Sequence, residues 1–381
     1  MFLKDLIERL ENNTKLYVGY PPNTVFDYSE IYPILKYSIN NLGDPFGLKN
    51  AFSTHEFEKE VIDWFLSLYS KNKQGWGYVT SGGTEGNLFG LWNAREKLKN
   101  PILYFSTSAH FSIQKIARML NLEYKIVQST PQGEMDYDDL NKSIIEKRDA
   151  IIVATLGTTM TSSIDNVIFI SNILKAKNIT SYIHADAAID GMILPFIQSN
   201  IAHQFEDGIE SIAISGHKVI GSPMPCGVVL CKKNYISDHT EIDYVRNTDP
   251  TITTSRNGVT PVILWYALYK YGKKGFTELI SNCIKNAELF CSLLNQNNIK
   301  AWRFDHSITI VLDKLPSAIT TKWHAPSNDK YTALFALPKL TSEMVSELIK
   351  DIQHFRSYES LNDNSTTTMY PKLTELIKLN D

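Results

Sequence analysis

Cysteine is scarce in this sequence: Cys226, Cys231, Cys283 and Cys291 are the only four in 381 residues. So few make no disulfide framework, and without a CxxC pair a structural zinc site is not expected either. A dominant charge is also missing. Lysine and arginine total 38 against 41 acidic residues, for a net charge of −3. That balance gives no electrostatic footprint for nucleic acid or an anionic membrane surface. No apolar run approaches the ~20 residues that cross a bilayer. The opening MFLKDLIERLENNTK breaks its apolar positions with charge and has no signal-peptide core. Neither a Walker loop nor a G-x-G-x-x-G turn occurs, and no internal repeat or low-complexity tract is seen. What these absences leave is a soluble, cytoplasmic protein whose partner is a small molecule.

What is present is ordinary globular material, 43% hydrophobic and 21% charged, enough for one large domain and a smaller one. An amphipathic helix is predicted over Phe2–Glu11, with Leu3, Leu6, Ile7 and Leu10 on one face. A proline- and tyrosine-containing stretch follows and reads as an arm. A helix is expected over Ser53–Tyr69, capped by Ser53 or Thr54. Short apolar runs then alternate with helical stretches. The runs are Ile102–Phe105, Tyr124–Val127, Ala150–Ala154, Ser181–His184, Ser211–Ile214 and Gly227–Leu230; the helices between them include Thr84–Leu98 and Val167–Lys175. Runs apolar throughout mean strands buried on both faces, and interleaved helices mean parallel crossovers. The expected class is therefore α/β with a mostly parallel sheet. After residue 260 come two long helices, then a strand–strand–helix pattern and a polar tail with a final short helix. We expect an arm over residues 1–48, a large domain over 49–275 and a small α+β domain with its tail over 276–381.

In an open parallel sheet, ligands bind beyond the carboxyl ends of the strands. The residues there are Thr80-Ser-Gly-Gly-Thr-Glu-Gly86, Thr155-Leu-Gly-Thr-Thr159, Ala185-Asp-Ala-Ala188 and Ser215-Gly-His-Lys218. TSGGTEGN puts small residues at a helix start, which suits a phosphate, or else is a tight turn capped by Thr84. Asp186 stands among alanines that leave room for something flat, or else caps a helix. His110 is a ring to stack on a planar group, or a loop histidine. Lys218 is either a surface lysine or an amine held for chemistry. Together these groups match the needs of pyridoxal phosphate: an amine for its aldehyde, a carboxylate for its ring nitrogen, N–H donors for its phosphate and a flat partner for its ring.

With those residues in view, the chain resembles the pyridoxal-phosphate-dependent group II amino-acid decarboxylases, of the aspartate-aminotransferase fold (fold type I). It is most similar to the bacterial histidine decarboxylases and the plant serine/histidine decarboxylases. The resemblance rests on FDYSEIYPILKYSINNLGDPF, WGYVTSGGTEGNLFG, HADAAIDGMILPF, SGHKVIGSPMPCGVV and TITTSRNG, and runs from about Tyr17 to Leu348. It implies that Lys218 carries the cofactor as a Schiff base and that Asp186 pairs with the pyridine nitrogen. His110 would lie over the ring and near the substrate. Gly83, Thr84, Ser215 and His217 would hold the phosphate, Ala188 would pack on the other ring face, and Thr158 would line the site. It also implies a homodimer, no metal, and a segment around Asn247–Thr254 and Arg256 that closes over the site. Tyr244, just before that segment, His110 or a water would return the proton to the substrate carbon. Histidine is the expected substrate, with serine or another amino acid as the alternative. Two departures bear on that choice: SRNGV in place of SRNGH, which puts Val259 at the histidine, and SNDKYTA in place of the GD-(I/V)-AH segment. Another reaction on the same cofactor, such as transamination or β-elimination, is a competing reading, with Arg303 the arginine to hold a carboxylate. A non-catalytic relative is a third.

Overall fold

The computed structural model describes residues 2–20, 26–47, 51–236, 242 and 248–363. Tyr244, Asn247 and the expected final helix of the tail lie outside the described residues. Helix α1 (Phe2–Thr14) is followed by the short strand β1 (Asn40–Leu42) and by α2 (His55–Tyr69). The large sheet is built from β2 (Trp76–Thr80), β3 (Ile102–Ser106), β4 (Glu123–Val127), β5 (Ala150–Thr155), β6 (Ser181–Asp186), β7 (Ser211–Ser215) and β8 (Gly227–Cys231). Between these strands run α3 (Gly83–Lys97), α4 (Ser112–Met119), α5 (Tyr137–Ser143) and α6 (Val167–Ala176). After β9 (Ser255–Asn257) comes α7 (Val259–Gln296), then β10 (Ala301–Trp302), β11 (Thr309–Asp313), α8 (Ser317–Lys322), β12 (Tyr331–Phe335) and α9 (Ser342–Asp363).

The seven strands lie in the order β2-β8-β7-β6-β5-β3-β4. Strand β8 runs antiparallel to both neighbours, and the remaining pairings are parallel. The apolar runs thus become strands as expected, because β3, β5 and β7 are buried along their whole length under helices on both faces. Helix α3 crosses β6, β7 and β8. Two glycines let it lie flush. A methyl at Gly86 would stand 2.8 Å from the Ala213 Cβ, and one at Gly90 would clash with the His184 ring at 2.2 Å.

A second core, around Phe290, Leu294, Leu312, Trp323 and Leu348, sits under the three-stranded sheet β10-β11-β12. The arm feeds it: Val18 is part of this core, and its N–H and C=O bond to Trp323 O and Phe335 N. Helix α7 joins the two cores. It breaks direction at Gly272, whose φ of 55° suits glycine, and there the two helices expected from the sequence meet end to end.

Arg256 is a tie between arm and sheet. Its guanidinium pairs with the buried Glu58 of α2, donates to Gly43 O at 2.9 Å and lies over the Tyr78 ring. Glu58 also accepts from Val79 N–H and Asn41 Nδ2. Replacing one partner strands the other charge in the core. Arg256→Met is expected to lower the unfolding free energy by about 3–5 kcal/mol, read from denaturant midpoints. A change within experimental error would show that the pair is not the tie described.

Candidate active site

Parallel strands deliver their carboxyl ends to one edge, and Thr155, Asp186 and Ser215 arrive there from β5, β6 and β7. A cavity of about 290 Å³ opens at that edge, lined by the start of α3, His110, Asp186, Ala188, Ser215, His217 and Lys218. The turn after β7 carries Lys218 into it. The amine is pushed below the ordinary lysine pKa by burial, while Asp186 and Asp190 pull it back up. Asp186 is fixed by two donors: Asn87 Nδ2 reaches one carboxylate oxygen at 2.8 Å and Ala188 N–H the other at 3.2 Å.

His110 lines the same cavity from the entry to α4. Its Nδ1 accepts from Ser112 N–H at 3.3 Å and lies 2.7 Å from Ser112 Oγ, which places the ring proton on Nε2. Burial lowers its pKa, against the pull of Asp186. His217 is tied by Nδ1 to the Cys226 carbonyl at 2.8 Å, and its ring sits beside Gly82.

The start of α3 suits an anion. Gly82 supplies no side-chain cap, and Glu85 is spent on Ser81 N–H and the Tyr78 hydroxyl, so the first-turn N–H groups have no side-chain acceptor among the described residues. A methyl at Gly83 would sit 3.0 Å from Ser215 Oγ and 3.4 Å from the Ala188 Cβ, so a larger residue would fill the cradle. On the wall between, Thr155 Oγ1 is buried without a partner among the described residues. An anion cradle at one end, a carboxylate at the other, an imidazole to the side and a half-buried amine fit pyridoxal phosphate.

The sequence expectation for Thr158 needs correcting. Its hydroxyl lies 2.8 Å from Thr161 Oγ1 and accepts from Ser163 N–H at 3.0 Å, closing the turn after β5. Gly157, in a left-handed conformation, turns the chain so that Thr155 and Thr159 line the cavity instead. Arg256 is not free for a ligand, as described above. Arg303 spends Nη1 on three carbonyls of its own loop, those of Phe304, Asp305 and Ser307. Two residues escaped the sequence reading, Asn87 and His184. The signal was available: His184 is two residues before Asp186 on β6 and so shares its face, and Asn87 is one helical turn beyond Gly83.

A second compartment of about 480 Å³ shares His110, Thr159, Ile189 and Lys218 with the first. Its outer wall holds Tyr17 and Tyr20 of the arm, His324 and Phe335. The Tyr17 and His324 rings stack at 5.1 Å. Neither Val259 nor any residue of SNDKYTA lines either compartment, although Pro326, which precedes that segment, does.

Comparison with known proteins agrees with this geometry. The family model described as "Pyridoxal-dependent decarboxylase conserved domain" matches residues 33–315. Histidine decarboxylase of Morganella morganii is 41% identical over 345 residues, spanning 88% of this chain and 91% of the relative. Histidine decarboxylase of Solanum lycopersicum is 36% identical over 390 residues, covering 100% and 94%. Among solved structures, L-methionine decarboxylase from Streptomyces sp. 590 superposes with a TM-score of 0.82 at 21% identity, covering 92% of this chain and 94% of that one. That likeness shows the fold, which is fold type I. The chain belongs to the pyridoxal-dependent decarboxylase family, carboxy-lyases whose cofactor is pyridoxal 5′-phosphate.

Proposed function

We propose that this protein decarboxylates L-histidine to histamine and CO2. The observation that carries the reaction is the convergence of Lys218, Asp186, His110 and the uncapped start of α3 on one cavity. When bound, the cofactor supplies an electron sink for the pair left behind as CO2 departs. Lys218 would hold its aldehyde carbon, Asp186 its ring nitrogen, and Gly83, Thr84, Ser215 and His217 its phosphate. Ala188 and His110 would bracket the ring, with Thr155 joining the wall in place of Thr158.

The protein's own groups then have separable tasks. Lys218 needs a neutral amine to act as a nucleophile, and burial favours that form. His110, when doubly protonated, can hand its Nε2 proton to the substrate carbon once the carboxylate has left and keep its Nδ1 proton toward Ser112 Oγ, or a water can supply the proton.

Histidine is favoured by the relatives, whose printed names are histidine decarboxylase over most of this chain. The second compartment supplies flat walls, Tyr17 and His324, for an imidazole to meet. A panel of L-amino acids incubated with the loaded protein tests this. Histamine and CO2 should form in equal amounts, with histidine the preferred substrate. Ethanolamine formed faster from serine would overturn the substrate, and a keto acid would overturn the reaction.

The protein would work as a homodimer in a reducing compartment such as the cytoplasm. All four cysteines are free thiols, as such a compartment keeps them. Phe2, Leu3, Ile7 and Leu10 of α1 are exposed, and no residue of that helix is buried within the chain, which suits a face covered by a second copy. No helix among the described residues is long and apolar enough to cross a membrane.

A further inference from the structure

Beneath the cavity a chain of buried polar groups runs away from Asp186 toward β7. Asn87 Nδ2 donates to Asp186 Oδ2 at 2.8 Å, Asn87 Oδ1 lies 3.0 Å from His184 Nε2, and His184 Nδ1 lies 2.7 Å from Ser211 Oγ. All four residues are buried, at 3% exposure or less. We propose that Asn87 is a positioning residue for the cofactor's acid partner, with His184 and Ser211 holding it in the one orientation that presents its NH2 to Asp186. The proposal deepens the reading of Asp186 given above and rests on it.

The orientation follows from donor and acceptor accounting. A flipped Asn87 would set its carbonyl oxygen against a carboxylate oxygen, two acceptors with no proton between them. With the NH2 toward Asp186, Asn87 Oδ1 must receive a proton, and His184 Nε2–H is the donor within reach. His184 Nδ1 is then an acceptor, and the Ser211 hydroxyl donates to it. Every polar atom along the line is satisfied once, by one tautomer. Burial drives the His184 pKa down to about 4, so the ring is neutral at physiological pH and brings no second charge under the site.

Packing holds the ring in that place. A methyl at Gly90 would come within 2.2 Å of His184 Nδ1, so the glycine is the space in which the imidazole sits. The spacing places the parts together: Asn87 and Gly90 lie three residues apart on α3, and His184 and Asp186 two apart on β6. The helix whose start cradles the anion therefore also aims the carboxylate at the far end of the cavity. Both ends of the cofactor would be referred to one rigid element.

The test uses the full-length protein in cofactor-free and loaded forms. In the cofactor-free protein labelled with ¹⁵N-histidine, the resonance missing from His184→Gln identifies this ring. At neutral pH it should be the neutral form protonated on Nε2. An Nδ1–H or charged ring would overturn the proposal without reference to which amino acid is the substrate. Asn87→Ala should lower kcat by roughly 10- to 100-fold with most of the pyridoxal phosphate affinity kept, while the melting temperature of the cofactor-free form moves by only a few degrees. Asn87→Asp should be worse than Asn87→Ala above neutral pH, because two carboxylates at that distance cannot both be charged. His184→Gln, whose amide NH2 can still donate to Asn87, should keep a kcat roughly fivefold or more above that of His184→Leu. Equal kcat in those two variants, or a wild-type kcat in Asn87→Ala, would reduce Asn87 to a packing residue.

Discussion

Lys218→Ala is expected to lower decarboxylation by roughly 10³-fold or more at saturating cofactor and substrate, with little change in melting temperature. The side chain has no packing partner whose loss would unfold the protein: it ends in the cavity, near the Tyr20 ring, and forms no ion pair among the described residues. Its work is chemical, and two features of the site prepare it. Burial lowers the cost of the neutral amine, and Asp186 and Asp190 keep the proton close enough to return. Lys218→Arg should be no better than alanine, because a guanidinium keeps its proton and offers no nucleophile. Rates above background for either variant would move the attachment point elsewhere. Rates should be read as product formed per loaded site, since loss of cofactor affinity would otherwise imitate loss of chemistry.

Asp186→Asn is expected to lower kcat by roughly 10²- to 10³-fold while retaining most of the cofactor affinity. The substitution keeps shape and removes charge. The anion cradle at α3 and the amine of Lys218 remain, so binding has most of its contacts. What is lost is the negative partner that keeps the cofactor's ring nitrogen protonated, and with it the drive for electrons to enter the ring. The introduced amide would also meet the NH2 of Asn87, and one of the two amides must turn to avoid setting donor against donor. Equal losses in affinity and in kcat would mean that Asp186 serves mainly to bind.

Much of this was legible before any coordinates. Strands β3, β5 and β7 are apolar from end to end because both faces are covered, and that pattern survives without knowledge of the neighbours. The residues following those strands are polar because the ends meet solvent and ligand, so Asp186, Ser215 and Lys218 could be placed on one edge by topology alone. The antiparallel course of β8 was not legible, since an apolar run carries no direction. Thr158 was misplaced because TLGTT offers three threonines and only the left-handed Gly157 decides which of them face the cavity. The role of Arg256 depended on Glu58, a partner 198 positions away in sequence. No local pattern joins the two. Asn87 and His184 were missed for a different reason: their spacing from Gly83 and Asp186 was there to read, but each passes locally for a helix or strand residue until α3 is seen to cross β6.

The most direct test is to reduce the cofactor-loaded protein with borohydride, digest it and map the modified peptide by mass spectrometry. The account expects a single pyridoxyl adduct, on Lys218 within SGHKVIG, and none in Lys218→Ala. An adduct on another lysine, or full activity without any adduct, would contradict it.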